Sequence, residues 1–479
     1  MSSISPSPLA AKDADGEQDA DWRPLVACCL ATFLLLAFTT VLTVSADSIA
    51  SRLGAGFSVA QWIIDVYPLA LAALVMGMGT VGDRLGHRWL FLIGLVVFGI
   101  ASALCATASS GGVLVAARAI QGVGGAAIFG TAVPLLTEHY RGPTRGMAFA
   151  VWGAVAGIGS TVGTIAGGAA MQFVTWRWLF AATLPIVVLA LLIGVPSLSR
   201  DRHVRVRIDG VGVVLITAMM AATTFAVINA GEFGWAATGT TGAAAVSFIA
   251  VVLFVTAQRR STHPLLPPDL FATPAFVGVL IAGFAYYFAA FAALPVLSRW
   301  LQSAAGMPPL RAALVLTIQL AAFVVVSLVF GARLHRAPRT WVLGGGTVIT
   351  GLACLPGAAL LWRPDWTGLI AVLVLTGIGS AIVSPVLPAV AATAAPPGRA
   401  GAAAATANAA RQLGLTIGIA LCGTISRSVD AGSGEPTTGA VVAALLISGA
   451  VAMCGGTISV LLLRQHDVRP RRFTARRTG

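Results

Sequence analysis

The chain has 479 residues, 57% of them apolar and 10% charged, with a mean hydropathy of +0.89 and a net charge of +13. A water-soluble surface needs roughly a quarter of its residues charged, which excludes a soluble enzyme or binding module. The apolar residues come in continuous stretches long enough to cross roughly 30 Å of hydrocarbon as helices, without the ten-residue alternation of a transmembrane barrel. An all-α polytopic membrane protein is expected.

Residues 1–21 carry Pro6, Pro8, Asp13, Asp15, Glu17 and Asp19 without periodicity and read as a disordered cytoplasmic tail. This acidic start is unlike a signal peptide, so the first span is expected to be kept as a helix. Spans at 25–46, 60–80, 90–108, 113–134, 147–170 and 178–196 form a six-helix bundle over 22–200. Spans at 211–230 and 238–257 read as an inserted pair within 209–257, expected to lie peripheral to any central cavity. A cytoplasmic linker, 258–273, leads to spans at 274–296, 310–331, 340–362, 366–391, 403–424 and 438–463. These make a second six-helix bundle over 274–463, followed by a basic cytoplasmic tail, 464–479.

The two bundles echo each other. GVGGAAIFGTAVP at 122–134 resembles GIGSAIVSPVLP at 377–388, and each leads through a short basic turn into a small-residue helix. Duplication of this kind suggests two units that pivot about a central cavity.

Charge sets the orientation. With both termini inside, 22 of the 30 lysines and arginines fall on the cytoplasmic side and six on the other, while Arg118 and Arg411 lie within spans. That asymmetry follows the positive-inside rule for an even number of crossings. Anionic lipid headgroups account for the basic tail, and no nucleic-acid partner is expected.

Asp65, in QWIIDVYPLAL, lies about five residues, or roughly 8 Å of rise, inside the second span. Burial there favours the neutral acid, whereas a bound cation favours the carboxylate; one group held by either proton or substrate is what an exchanger requires. The other reading is a polar wall of an aqueous vestibule. Trp62 and Tyr67 beside it are either ring faces for a cation or aromatics of the membrane interface. Asp47 closes the first span as a solvated helix end or as a second gating or binding carboxylate.

Arg118, in LVAARAIQG, has a depth resembling that of Asp65. A guanidinium keeps its proton, so it needs an anion, carbonyls or water; pairing with a carboxylate is expected, with a snorkelling arginine as the alternative. Arg411 and Gln412 pose the same question in the thirteenth span. The charged segment GTVGDRLGHR at 79–88 reads as a tight turn. There Asp83 accepts from the next helix's first amides, pairs with arginines of a neighbouring turn, or sits in a merely solvated loop. The fifth span, GAVAGIGSTVGTIAGGA, carries Gly159, Gly163, Gly167 and Gly168 and demands close packing or a bend. The six cysteines lie in apolar spans without metal-ligand spacing, and no metal or cofactor is expected. No nucleotide-binding motif is present.

These segments together resemble the major facilitator superfamily, and within it the fourteen-helix drug:proton antiporter branch. GTVGDRLGHR resembles the superfamily's first-loop motif at Gly79, Gly82, Asp83, Arg84, Gly86 and Arg88. WIIDVYPLALAAL resembles the second helix of exporters of quaternary ammonium compounds and dyes, with Asp65 and Tyr67 on matching positions. RAIQGVGGA resembles the fourth-helix arginine motif at Arg118, Gln121 and Gly122; TWRWLFAATLP and NAARQLGLTIGIA resemble further family segments. Three departures stand out. Thr164 follows Gly163 where the antiporter motif has proline, Gly130 replaces the fourth-helix proline, and the first-helix acidic, Asn and Pro positions fall on Phe38, Thr43 and Asp47.

The resemblance implies two six-helix bundles plus two helices. It also implies proton-driven, alternating-access export of lipophilic, cationic compounds by a monomer in a bacterial inner membrane. Asp65, Arg118 and Asp47 would serve proton coupling, and Trp62, Tyr67 and Gln121 would line the substrate cavity. Asp83, Arg84, Arg88 and Arg145 would form an inner gate. The alternative is a dedicated exporter of one host-made secondary metabolite, in keeping with an Ala-, Gly- and Arg-rich composition. A membrane sensor or lipid-handling scaffold is the rival from another class. The charge count makes a direct prediction: reporter fusions at Arg205 and at Arg469 should both report the cytoplasm. Opposite sides for the two would break the assignment.

Overall fold

The computed structural model describes residues 21–198, 209–334, 337–361, 365–394, 400–430 and 437–467. The tails expected at 1–21 and 464–479 lie outside these residues except at their inner ends. Arg200, Arg202, Arg205, Arg207, Arg336, Arg363 and Arg399 lie outside them as well.

Lipid offers no partner to a backbone amide, so each crossing segment closes its own hydrogen bonds as a helix. The first six are α1 (Arg23–Thr40), α2 (Phe57–Leu85), α3 (His87–Thr107), α4 (Gly111–His139), α5 (Gly142–Phe173) and α6 (Arg177–Ser197). Next come α7 (Gly210–Phe233) and α8 (Thr238–Arg260). The last six are α9 (Pro274–Ser303), α10 (Pro309–Leu334), α11 (Thr340–Leu360), α12 (Gly368–Ala394), α13 (Ala400–Val429) and α14 (Thr438–Asp467). Among the described residues 13 of these are long and apolar enough to cross a membrane. The other, α13, is 30 residues long but carries Asn408, Arg411 and Gln412. No strand occurs among the described residues.

Two segments differ from expectation. The first span, expected over 25–46, stops as a helix at Thr40; a turn follows, then a short helix, Ala46–Arg52. The turn expected over 79–88 is mostly helix, since α2 continues to Leu85 and only Gly86 separates it from α3. Gly86 has φ 99°, a conformation open to glycine at little cost, and one residue therefore reverses the chain. The linker at 258–273 is ordered by Asp209, which caps α7 through Gly212 N at 2.8 Å and also accepts from Gln258 and Leu265 N.

The internal repeat is a repeat of packing. A Cβ on Gly122 would meet the Tyr67 carbonyl of α2 at 2.7 Å, and one on Gly377 would meet that of Gln319 on α10. A Cβ on Gly124 would come within 2.7 Å of Phe98 N on α3, and one on Gly379 within 2.9 Å of Thr350 N on α11. The α1–α5 and α9–α13 pairs match too: Gly163 rests on Ala37 and Gly414 on Phe284. Without a hydrophobic force between helices in lipid, contact depends on such close approach by small residues.

The two sets meet where α2 packs on α13 and α5 on α10. Of the inserted pair, α8 rests on α7 and exposes Phe248, Ile249 and Leu253. Helix α7 is less peripheral than expected, because it wedges between α2 and α13.

Candidate transport site

Arg118 is 1% exposed and fully engaged. Nη1 donates to Gln121 Oε1 at 2.7 Å, Nη2 to the Phe38 carbonyl at 3.2 Å and Nε to the Ile63 carbonyl at 3.3 Å. Phe38 lies in the last turn of α1, where carbonyls lose their intrahelical partners and the helix dipole is negative, so a cation belongs there. Gln121 passes the network on to Ser102 Oγ at 2.9 Å. The Tyr67 ring stacks 4.4 Å from the guanidinium, and its hydroxyl donates to the Leu35 carbonyl.

Asp65 is not brought to Arg118. Ile63 and Tyr67 both serve the arginine, and a residue midway between them on a helix points about 200° away from either. Asp65 is fully buried, and neither carboxylate oxygen has a hydrogen-bond partner. One turn away, the Gln61 Oε1 is also buried and unpartnered, with its side chain against Gly423 of α13. Burying an unpartnered polar oxygen costs on the order of 1–3 kcal/mol, which marks this face of α2 as the unusual one.

The residues expected to line a cavity are occupied otherwise in this conformation. Tyr67 already holds a cation, namely Arg118, and Gln121 is that arginine's acceptor. Trp62 rests on Phe225 of α7 with ring centroids 6.3 Å apart. Arg411 is half-buried over the Tyr287 ring at 4.6 Å, its Nε unpartnered; beside it, Gln412 Oε1 is unpartnered too. An apolar recess of ≈ 310 Å³ lies among α9, α13 and α14, lined by Leu280, Phe284, Ala410 and Val451, with Ala410 next to Arg411 in the chain.

Asp47 is an interhelix partner rather than a free helix end. Its Oδ2 lies 3.2 Å from Arg299 Nε on α9, and Gln302 donates to the Val44 carbonyl at 3.0 Å. Burial pushes the Asp47 carboxyl above its ordinary range, against the opposing pull of Arg299. Phe57 at the start of α2 lies under both Arg299 and Arg427. These contacts tie the Asp47 end of the first helix set to α9 and α13.

At the other end, Asp83 meets no arginine among the described ion pairs. Its Oδ1 lies 3.1 Å from His87 Nε2, one turn on, and His87 Nδ1 lies 3.6 Å from Glu138 of α4. Neither His87 nor Glu138 was marked by the sequence motif, although the Asp83–His87 spacing is the helical i,i+4 relation. Arg88 donates to the Val195 carbonyl and Arg145 to Thr137, while Arg84 is exposed. In α5, Gly159, Gly163 and Gly167 abut α1, and Gly168 abuts Pro309 and Leu310 of α10. Thr164 donates to the Ser160 carbonyl, which also accepts from Thr40. No cluster of three or more His, Cys, Asp or Glu side chains fit to hold a metal occurs among the described residues.

Long apolar helices, a packing plan used twice and polar residues held inside the bundle define a helical membrane transporter. The chain belongs to the Major Facilitator Superfamily, which it matches over residues 28–259 and 279–478. It is 34% identical over 441 residues to the puromycin resistance protein pur8 of Streptomyces alboniger, covering 89% of this chain and 86% of that one. It is 30% identical over 452 residues to a methylenomycin A resistance protein of Streptomyces coelicolor, covering 92% of each chain. It is 33% identical over 448 residues to the multidrug efflux pump LfrA of Mycolicibacterium smegmatis, covering 90% of this chain and 87% of that one. The protein is a secondary transporter of the superfamily's drug- and antibiotic-efflux branch, not an enzyme.

The separation of Asp65 from Arg118 has a measurable consequence. In thermal unfolding of the purified protein, Asp65→Asn and Arg118→Lys should add to within about 0.5 kcal/mol. A coupling above about 1 kcal/mol would mean that the two side chains pair.

Proposed function

We propose that this transporter exports a secondary metabolite of the antibiotic class in exchange for protons, with Asp65 as the group that carries the proton. The observation behind this is the buried carboxylate without a partner on α2. An ionised carboxylate in such a place is costly, so its charge state answers to whatever enters beside it. Two of the three relatives above are named for resistance to a single antibiotic, which supports a dedicated exporter. The relative named as a multidrug pump supports the second reading, broad efflux of lipophilic cations.

In this reading the Asp47 end faces outward and the Asp83 end faces the cytoplasm, as the arginine asymmetry favours. The Asp47–Arg299 bridge and the Gln302–Val44 bond close the outer end, and the Asp83–His87–Glu138 cluster belongs to the inner gate with Arg84, Arg88 and Arg145. The glycine face of α5 lets α1 and α10 slide past it during rocking. Arg118 and Gln121 hold the end of α1 in register, and Arg411 and Gln412 offer polar groups from the second set. The protein works as a monomer in the bacterial inner membrane, with the proton and one small molecule as its ligands.

Resistance of expressing cells to puromycin, methylenomycin A and ethidium, with and without a protonophore, tests the whole reading. Dedicated export gives resistance to one of the three, broad efflux of cations to puromycin and ethidium together, and a protonophore should abolish either. Asp65→Asn should abolish proton-coupled resistance, and Asp65→Glu should keep part of it, since only reach changes. Resistance that stays protonophore-sensitive in the Asn variant would move the switch elsewhere, with Asp47 next in line. Asp83→Asn should leave expression near wild type and slow export several-fold; unchanged export would reduce the cluster to a structural contact.

A further inference from the structure

Helix α7 is present only as part of the inserted pair, yet it packs directly against the face of α2 that carries Asp65. The register between them is fixed by contacts along their length. A Cβ on Gly56 would lie 4.0 Å from Glu232 Oε1, and Trp62 meets Phe225. Leu69 shares a core cluster with Met220, and a Cβ on Gly77 would lie 2.7 Å from Val213. The helices run antiparallel, so positions rise on one as they fall on the other. Leu69 and Met220 lie one turn below Asp65 and Thr224, and the i,i+4 relation keeps each pair on the same helix face. Asp65 therefore lies level with Thr224.

Thr224 is 0% exposed, and its hydroxyl has no hydrogen-bond partner. This is unusual, because threonines in the neighbouring turns, Thr217 and Thr223, bond back to carbonyls of their own helix. Four unpartnered buried oxygens thus fall within about one helical turn of this level on α2 and α7: both of Asp65, Oε1 of Gln61 and Oγ1 of Thr224. Only the hydroxyl can donate as well as accept in both charge states of Asp65.

We infer that the Thr224 hydroxyl completes the Asp65 site, donating to the carboxylate once its proton has left and accepting from the acid when the proton returns. Thr224 is a positioning residue in this scheme: it stabilises the charged form of Asp65 and gives α7 a part in coupling. The inference rests on the reading of Asp65 as the proton carrier.

Among the described residues no other charged group competes for that role. Arg118 of α4 and Tyr67 occupy the opposite face of α2 and are bonded there. On α13, Arg411 stacks on Tyr287, Arg427 on Phe57, and Cys422 faces Ser448. Asp47 is paired with Arg299; Glu232 on α7 lies at the level of Gly56, and His87 and Arg88 of α3 lie at the far end.

The test needs no substrate. Infrared difference spectra of the purified full-length protein in lipid, recorded as pH is stepped, should contain a carboxylic-acid carbonyl band that disappears in Asp65→Asn. A hydrogen bond to a charged group is worth about 1.5–3 kcal/mol, so Thr224→Val should move the midpoint of that band upward by about one to two pH units. The band should also change frequency, because the acid O–H loses its acceptor. Thr224→Ser should restore both. A band that titrates identically in wild type and Thr224→Val overturns the inference and leaves Asp65 as proton carrier. The absence of any band sensitive to Asp65→Asn overturns that reading as well.

Discussion

A broken helix inside a bilayer releases backbone carbonyls that water cannot reach, and each one left alone costs several kcal/mol. The first helix stops at Thr40, well short of the apolar stretch that encodes it, and Arg118 answers for that break. Its fork reaches the Phe38 and Ile63 carbonyls and Gln121 at once, which a lysine's single ammonium could not span. One side chain thereby joins α1, α2 and α4, and Gln121 extends the join to α3 through Ser102. The same break also produces Val44 and Asp47, the groups that bind Gln302 and Arg299 across to α9. Internal order of the first helix set and its contact with the second thus share one origin.

Glycine supplies the complement to this fixed point. Where Arg118 locks helices together with directional bonds, Gly159, Gly163 and Gly167 let α5 press on α1 with backbone against backbone. Such a surface has few side chains to interlock, and Gly168 extends it to α10. Dispersion across a smooth face resists separation more than it resists sliding, which suits an interface between units that must tilt.

Much of this was legible in the sequence, and the reasons for the misses are specific. Apolar length gave the spans, and the 122–134 and 377–388 echo gave a packing plan that the glycines repeat atom for atom in kind. Arg118 and Asp65 stood out because charges are rare in spans. Their partners did not, because similar depth says nothing of azimuth; the two-residue offset of Asp65 from Ile63 and Tyr67 was visible, but what α4 faced was not. Asp47 and Arg299 are too distant in sequence for any local pattern to join them. The segment 79–88 looked like a turn because glycine and charge usually mean one, yet a single glycine at φ 99° sufficed. Thr224 gave no signal, since a threonine in a span ordinarily bonds its own backbone.

The final contrast lies between the two buried charges of the first helix set. Arg118 is satisfied by neutral acceptors and an aromatic face, so nothing in its surroundings depends on a second ionisable group. Asp65, on the other side of the same helix, is satisfied by nothing from its own set. Had the two been paired, every change in the charge of Asp65 would strand the guanidinium and loosen the end of α1. With the body of α2 between them, the proton exchange proposed for Asp65 would leave the scaffold on the other face in place. The groups that can respond to that proton, Gln61 against α13 and Thr224 on α7, belong to the surfaces where the helix sets meet. On the proposed reading, a change of charge at Asp65 would be felt at the seam between the sets rather than within the one that carries it.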